Sequence, residues 1–242
     1  VFAIGFAARP LGGVVFAHYG DRIGRKPIMV TTLVMMGAST TAIGLTPTFA
    51  SIGIAAPIIL TCLRFLQGFS LGAESAAGPL LAMESAQGKT RGLFAALVSS
   101  GAAAGTVLGA GAAFAVGALP QEQLLAWGWR LPFLASALIF AVSFYVRMKV
   151  EESPVFQRAI ARKAPERVPI LAVLESHKGA TLQVLFCAMA ESSTFYFTSV
   201  YGLSYGIQRL GLSNAQLLAG IALGNAIGIF TNPLFGALSD PV

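Results

Sequence analysis

Seven runs of apolar residues, each about as long as the chain needed to cross a hydrocarbon layer, leave this sequence few folds to choose from. They cover 1–18, 28–46, 54–82, 92–118, 130–148, 180–206 and 214–236. A hydrocarbon core about 30 Å thick is crossed by roughly 20 apolar residues of helix. In lipid the backbone must satisfy its own hydrogen bonds, and the runs lack the alternation of a barrel strand, so each is expected to be a helix. Composition agrees: 55% of the 242 residues are hydrophobic and 11% charged, with a mean hydropathy of +0.74. A soluble domain carries about 25% charged residues. The expected fold class is an all-α membrane protein, a helical bundle.

The net charge of +6 raises the question of nucleic acid, and the placement of the charges answers it. Arg22, Arg25 and Lys26 follow the first run, and Lys89 and Arg91 follow the third. Arg147, Lys149, Arg158, Arg162, Lys163, Arg167 and Lys178 follow the fifth. The alternate connections hold only Arg130 and Arg209. That asymmetry is the positive-inside pattern. It predicts cytoplasmic segments at 84–91 and 149–179, external ones at 119–129 and 207–213, and no nucleic-acid partner. Cys62 and Cys187 fall inside predicted spans, which argues against a disulfide framework. No cleavable signal is visible, since the first run lacks a basic leader. In this orientation Val1 starts outside, within an apolar run, and Val242 comes directly after the last run; both ends read as truncations.

A short internal repeat relates Phe16-Ala17-His18-Tyr19-Gly20-Asp21 to Phe235-Gly236-Ala237-Leu238-Ser239-Asp240. Each copy closes an apolar run on the basic side, as two parallel halves of one bundle would. The organisation expected is an N-terminal half at 1–148, a connector at 149–179 and the start of a second half at 180–242. The connector is the one long polar stretch, and Pro169 is placed to begin a short amphipathic helix within it.

The loop Gly20-Asp21-Arg22-Ile23-Gly24-Arg25-Lys26 resembles the signature loop of the major facilitator superfamily, between its second and third helices. Two glycines suit a tight reversal, and Asp and Arg suit pairing across helix ends. Ala17 replaces the leading Gly of that signature, and Pro241 stands where the second copy usually has Arg. Four further stretches are similar to the metabolite:proton symporters of that superfamily. They are Arg9-Pro10-Leu11-Gly12-Gly13, Arg64-Phe65-Leu66-Gln67-Gly68 with Glu74, Trp127-Gly128-Trp129-Arg130-Leu131-Pro132-Phe133 and Glu152-Ser153-Pro154-Val155-Phe156. Where that family often has two glycines before the acid of helix four, this chain has Gly72-Ala73. The resemblance spans helix two to helix eight of a twelve-helix bundle. It implies a secondary transporter in the bacterial inner membrane, taking up a small metabolite such as shikimate, 2-oxoglutarate, citrate, proline or betaine together with protons. It implies no cofactor beyond the proton as coupling ion, and a gate built from Asp21, Arg22, Gly24, Arg25, Lys26 and Asp240. Drug:proton antiporters of the superfamily carry Pro among the glycines of helix five. Gly101, Gly105 and Gly109 lack one, which favours a symporter.

Charges deep in predicted spans are costly and therefore mark candidate sites. On the fourth helix Arg64, Gln67, Leu71, Glu74, Ser75 and Gly78 share an arc of roughly 100°. A cation, an amide and an acid thus lie on one stripe. On the seventh, Glu191, Thr194, Thr198, Tyr201 and Tyr205 share an arc of roughly 80°, more like a pocket wall than a lipid face. Arg9 precedes Pro10 at mid-depth, and a guanidinium facing a cavity can grip a carboxylate with paired hydrogen bonds. These patterns make Arg9, Arg64, Gln67, Tyr201 and Tyr205 candidate substrate contacts, and Glu74 and Glu191 candidate proton carriers. The ligand they suit is a carboxylate-bearing metabolite. Internal ion pairs that fix helix packing are the alternative for each charge. Trp127 and Trp129 read as interfacial anchors. Gly220, Gly224 and Gly228, like the helix-five glycines, read as packing seams. Gly88-Lys89-Thr90 lacks a phosphate loop's first Gly, since Met83 stands there, and no metal cluster is in view. A membrane enzyme would need a nucleophile–base set that the sequence does not offer. A membrane sensor of the same solute is the second reading, and a soluble output domain would mark it.

Overall fold

The computed structural model describes residues 2–86, 90–149 and 177–240. The expected connector helix after Pro169, the Glu152-Ser153-Pro154 motif and Lys89 lie outside the described residues. So do the side chains of Asp21 and Glu191, although both positions are on described helices.

Ten α-helices are described: α1 Phe2–Ile23, α2 Arg25–Leu45, α3 Phe49–Ile52, α4 Ala55–Ser85, α5 Arg91–Gly117, α6 Gln121–Ala126, α7 Leu131–Lys149, α8 Lys178–Tyr196, α9 Gly202–Gln208 and α10 Asn214–Ser239. A 3₁₀ turn at Gly128–Arg130 leads into α7, and a π turn at Phe197–Tyr201 joins α8 to α9. Five described helical stretches are long and apolar enough to cross a membrane: Arg25–Leu45, Ala55–Ser85, Arg91–Gly117, Gly128–Lys149 and Asn214–Ser239. Two of the seven expected spans, α1 and the α8–α9 run, are not among them. The first carries Arg9 near its middle, and the second is interrupted by the π turn at Phe197–Tyr201 and carries Glu191.

The signature loop is tighter than its two glycines suggest. Gly20 stays inside α1, and the chain turns at Gly24 alone, whose φ of 106° is open to glycine and strained for other residues. The Gly24 N–H still donates to the Gly20 carbonyl at 3.1 Å, so α1 closes properly before α2 begins.

Small residues set the helix spacing. A Cβ at Gly12 would overlap the Phe69 carbonyl oxygen, one at Gly68 that of Gly5, and one at Gly72 that of Arg9. The numbers on α1 and α4 climb together, so these helices run parallel with backbones in contact, as small-residue faces allow in lipid. α2 and α7 run antiparallel, with Gly37 against the Phe140 ring and Gly44 against Phe133. α5 and α10 also cross antiparallel, with Gly92 against Gly236 and Gly228 near Ala103. The seam expected along Gly101, Gly105, Gly109, Gly220 and Gly224 is not where these two helices touch. A Cβ at any of those glycines would meet nothing within 4 Å, so they face away from the contact, which runs instead through Gly92, Ala96, Ala103, Gly228 and Gly236.

This packing brings the ends carrying Arg22, Arg25, Lys26, Arg91, Arg147 and Lys149 to one side of the bundle and Arg130 to the other. The described interior mixes small or hydroxylated residues, among them Ala8, Thr32, Ser39, Ser70 and Ala73, with apolar ones such as Phe16, Ile28, Leu33, Ile43 and Leu81. Large apolar side chains such as Phe230, Leu138 and Val184 point outward, as in a bundle solvated by hydrocarbon.

Candidate functional site

Arg9 and Arg64 stand on the touching helices α1 and α4, roughly 10 Å and 14 Å along them at a rise of about 1.5 Å per residue. The Arg9 guanidinium lies 4.1 Å from the centroid of the Phe6 ring, and its Nε is buried with no hydrogen-bond partner among the described residues. Phe6 meets Tyr196 of α8 edge-on at 5.4 Å between centroids, which carries the cluster from the first run of helices to the later one. Tyr196 has no periodic signal in the sequence that would single it out.

Arg64 and Gln67 come together as the shared face predicts. Arg64 Nη1 donates to Gln67 Oε1 at 3.2 Å, and Gln67 Nε2 donates to Thr40 Oγ1 of α2 at 2.6 Å. Nothing local in the sequence marks Thr40 as the residue facing α4.

Glu74 parts from that group. Its Oε1 pairs with Arg147 of α7, whose Nη1 also donates to the Met29 carbonyl at 2.9 Å. Glu74 Oε2 is buried and without a partner among the described residues. The expected stripe of cation, amide and acid is thus divided, with its lower end facing α7. Arg147 reads in sequence as one more basic loop residue; only the helix packing turns it inward.

The face expected along α8 is broken as well. Projecting Glu191 to Tyr205 requires unbroken α-helix, but the π turn at 197–201 shifts the register by a fraction of a turn. Thr194 and Thr198 bond back to the carbonyls of Ala190 and Thr194 at 2.9 Å each. Phe197, Tyr201 and Tyr205 instead form a ladder, with centroid spacings of 5.1 and 6.0 Å.

The residues expected to form a gate tie helix ends together. Arg25 pairs with Glu84 at the end of α4, and Lys26 Nζ donates to the Met148 carbonyl of α7 at 3.0 Å. Arg22 is exposed. Asp240, at the C-cap of α10, accepts the backbone N–H groups of Gly92 and Leu93 at 2.6 and 3.0 Å. These belong to the first turn of α5, whose N-terminal amides have no partners within the helix. A cavity of about 140 Å³ lies beneath this end, lined by Gly13, Phe16, Gly20, Arg25, Ile28 and Ala73 among others. Neither Arg9 nor Arg64 lines it.

At the opposite end Arg130 sits between Trp127 and Trp129, 5.5 and 4.4 Å from their rings. It donates to the carbonyls of Ala126 at 2.8 Å and Thr46 at 3.4 Å. The two tryptophans therefore hold a cation that closes the C-terminus of α2.

Known proteins resemble this chain in sequence and in fold. The family model described as the Major Facilitator Superfamily matches residues 1–242. The chain is 37% identical over 242 residues to the shikimate transporter of Escherichia coli, covering 99% of this chain and 55% of that protein. It is 39% identical over 222 residues to the inner membrane metabolite transport protein YhjE of the same organism, covering 90% and 50%. It is 36% identical over 251 residues to the glycine betaine/proline/ectoine/pipecolic acid transporter OusA of Dickeya dadantii, covering 99% and 50%. Among solved structures, the proton:xylose symporter XylE bound to 6-bromo-6-deoxy-D-glucose superposes with a TM-score of 0.68 at 16% identity. That match covers 96% of this chain and 57% of the other. The chain thus spans about half the length of the curated relatives it matches. With membrane-length helices, the turn at Gly24 and a family match from end to end, this chain belongs to the Major Facilitator Superfamily of transporters.

Proposed function

We propose that the protein takes up a small carboxylate-bearing metabolite, acidic or zwitterionic, together with a proton by alternating access. Two halves, one made of 1–148 and one that includes 180–242, rock about the site, and the segment at 149–179 joins them. The basic end faces the cytoplasm of a bacterium from its inner membrane.

One observation carries the substrate class. Glu74 and Glu84 are committed to Arg147 and Arg25, whereas Arg9 and Arg64 have no acidic partner among the described side chains. Two guanidinium groups on touching helices, one backed by an aromatic ring, are suited to a carboxylate. Tyr201 and Tyr205 supply an aromatic wall for the rest of the ligand. Glu191 and Glu74 are the candidate proton carriers. Glu74 Oε2 is buried and has no partner among the described residues. The Asp21 loop and Asp240 close the basic end.

The test is counter-flow and uptake by the whole protein in proteoliposomes, using radiolabelled shikimate, 2-oxoglutarate, citrate and glycine betaine. Uptake of at least one compound should follow an imposed proton gradient. Arg9→Ala and Arg64→Ala should each raise its KM, while Glu191→Gln or Glu74→Gln should abolish accumulation and spare exchange. Uptake indifferent to the gradient removes the proton, and unchanged KM values in both arginine variants remove the carboxylate site.

A further inference from the structure

Gln67 sits between a cation on its own helix and a hydroxyl on another, and donor–acceptor logic fixes every bond around it. A guanidinium has donors only, so the Gln67 atom facing Arg64 must be its oxygen. The amide nitrogen therefore faces Thr40, and the Thr40 oxygen must accept at 2.6 Å. Its own hydrogen is then left for the Met36 carbonyl, 2.7 Å away one turn back on α2. No member can be turned over without placing two donors or two acceptors against each other. The chain runs from the α2 backbone through Thr40 and Gln67 to one nitrogen of Arg64.

We infer that Gln67 and Thr40 are positioning residues that orient the Arg64 guanidinium, with Gln67 acting behind the arginine rather than on the ligand. The inference rests on the reading of Arg64 as a carboxylate contact. Unanchored, an arginine side chain has many rotamers to lose when it grips a ligand; held by an amide that is itself held, it has lost them beforehand. Both polar ends of the Gln67 side chain are engaged, which leaves Arg64 with the edge that faces away from it. Thr40 thereby belongs to the site although it lies on a helix with no candidate contact of its own.

The distinguishing variants are Thr40→Val, which keeps the shape and removes the acceptor, and Thr40→Ser, which keeps the acceptor. Two measurements use the whole protein in proteoliposomes. In the first, KM and maximal rate are obtained for whichever of shikimate, 2-oxoglutarate, citrate or glycine betaine is taken up. Thr40→Val should raise KM roughly three- to tenfold with little change in maximal rate, as expected for a weakened hydrogen bond to a charged group. Thr40→Ser should restore it, and Thr40→Val combined with Gln67→Leu should do no more than Gln67→Leu alone. In the second, phenylglyoxal modification of Arg64 is followed by peptide mass spectrometry without any substrate. Thr40→Val and Gln67→Leu should each speed it several-fold, and Thr40→Ser should not.

Equal behaviour of Thr40→Val and the parent protein in both measurements overturns the inference. So does an additive double variant, since Thr40 would then act independently of Gln67. If Arg64→Lys leaves KM unchanged, or none of the four compounds is taken up, the carboxylate reading is what fails. The phenylglyoxal rates still decide whether Arg64 is held in place.

Discussion

The Asp240 carboxylate closes on the Gly92 backbone N–H at 2.6 Å and on its neighbour Leu93 at 3.0 Å. The last turn of α10 is thereby fastened to the first turn of α5. An anion there meets amides with no partner in their own helix and the positive end of the α5 dipole. The Thr90 N-cap of α5 makes no side-chain cap bond, so Asp240 supplies from a distance what a local cap would. Asp240→Ala should cost about 1–2 kcal/mol of stability, by analogy with loss of a helix cap. Thermal unfolding in detergent would register it, with Asp240→Asn falling between the variant and the parent. An unchanged transition in Asp240→Ala would mean the contact carries no weight.

The same crossing predicts a contrast between glycines. A Cβ at Gly92 would meet the Gly236 carbonyl oxygen at 2.6 Å, whereas Gly105 and Gly220 have nothing within 4 Å. Gly92→Val should destabilise the protein by about 1–3 kcal/mol through overpacking. Gly105→Ala or Gly220→Ala should be neutral or gain up to about 1 kcal/mol of helix propensity. Equal penalties at all three sites would place the α5–α10 contact elsewhere.

Glu74 and Arg147 form a partly sheltered pair, with 21% and 20% of the side-chain surfaces exposed. Arg147→Met should cost about 3 kcal/mol, the low end for a buried charge left unpaired. The exchanged pair Glu74→Arg with Arg147→Glu should recover part of that loss. Detergent unfolding of Arg147→Met, of Glu74→Arg and Arg147→Glu singly, and of their combination is the measurement, and an exchange no better than the worse of its two single variants would refute a direct pair.

At the start of α10, Ser213 and Gln216 form a capping box. The Gln216 N–H donates to Ser213 Oγ at 3.2 Å, and the Ser213 N–H donates to Gln216 Oε1 at 3.0 Å. Ser213→Ala should cost about 1 kcal/mol. Because Ser213 is exposed, the loss should show in amide exchange over residues 213–218 while exchange elsewhere stays unchanged.

Properties that belong to a short stretch of chain could be read directly from the residues. Apolar length fixed the membrane class and the helix positions to within a few residues, because crossing lipid is a demand each segment meets alone. The local spacing of Arg64 and Gln67 put them on one face, and the structure joins them. The family resemblance rested on contiguous motifs and holds along the whole chain.

Partner choice was not local, and only the tertiary structure decided it. Glu74 belongs to the Arg64 stripe by rotation alone, yet it pairs with a residue 73 positions away because α7 packs against α2 and carries Arg147 inward. Thr40, 27 positions from Gln67, meets it only because α2 lies beside α4. Small residues along α5 and α10 are equally good seams on paper, and the crossing uses Gly92, Gly228 and Gly236 but not Gly101, Gly105, Gly109, Gly220 or Gly224. One π turn was enough to undo a face projected at 100° per residue, since a single added residue rotates everything beyond it. Helix identity is set by what a segment does with lipid and its own backbone; a charged side chain's partner is set by where other helices cross, which no single segment contains.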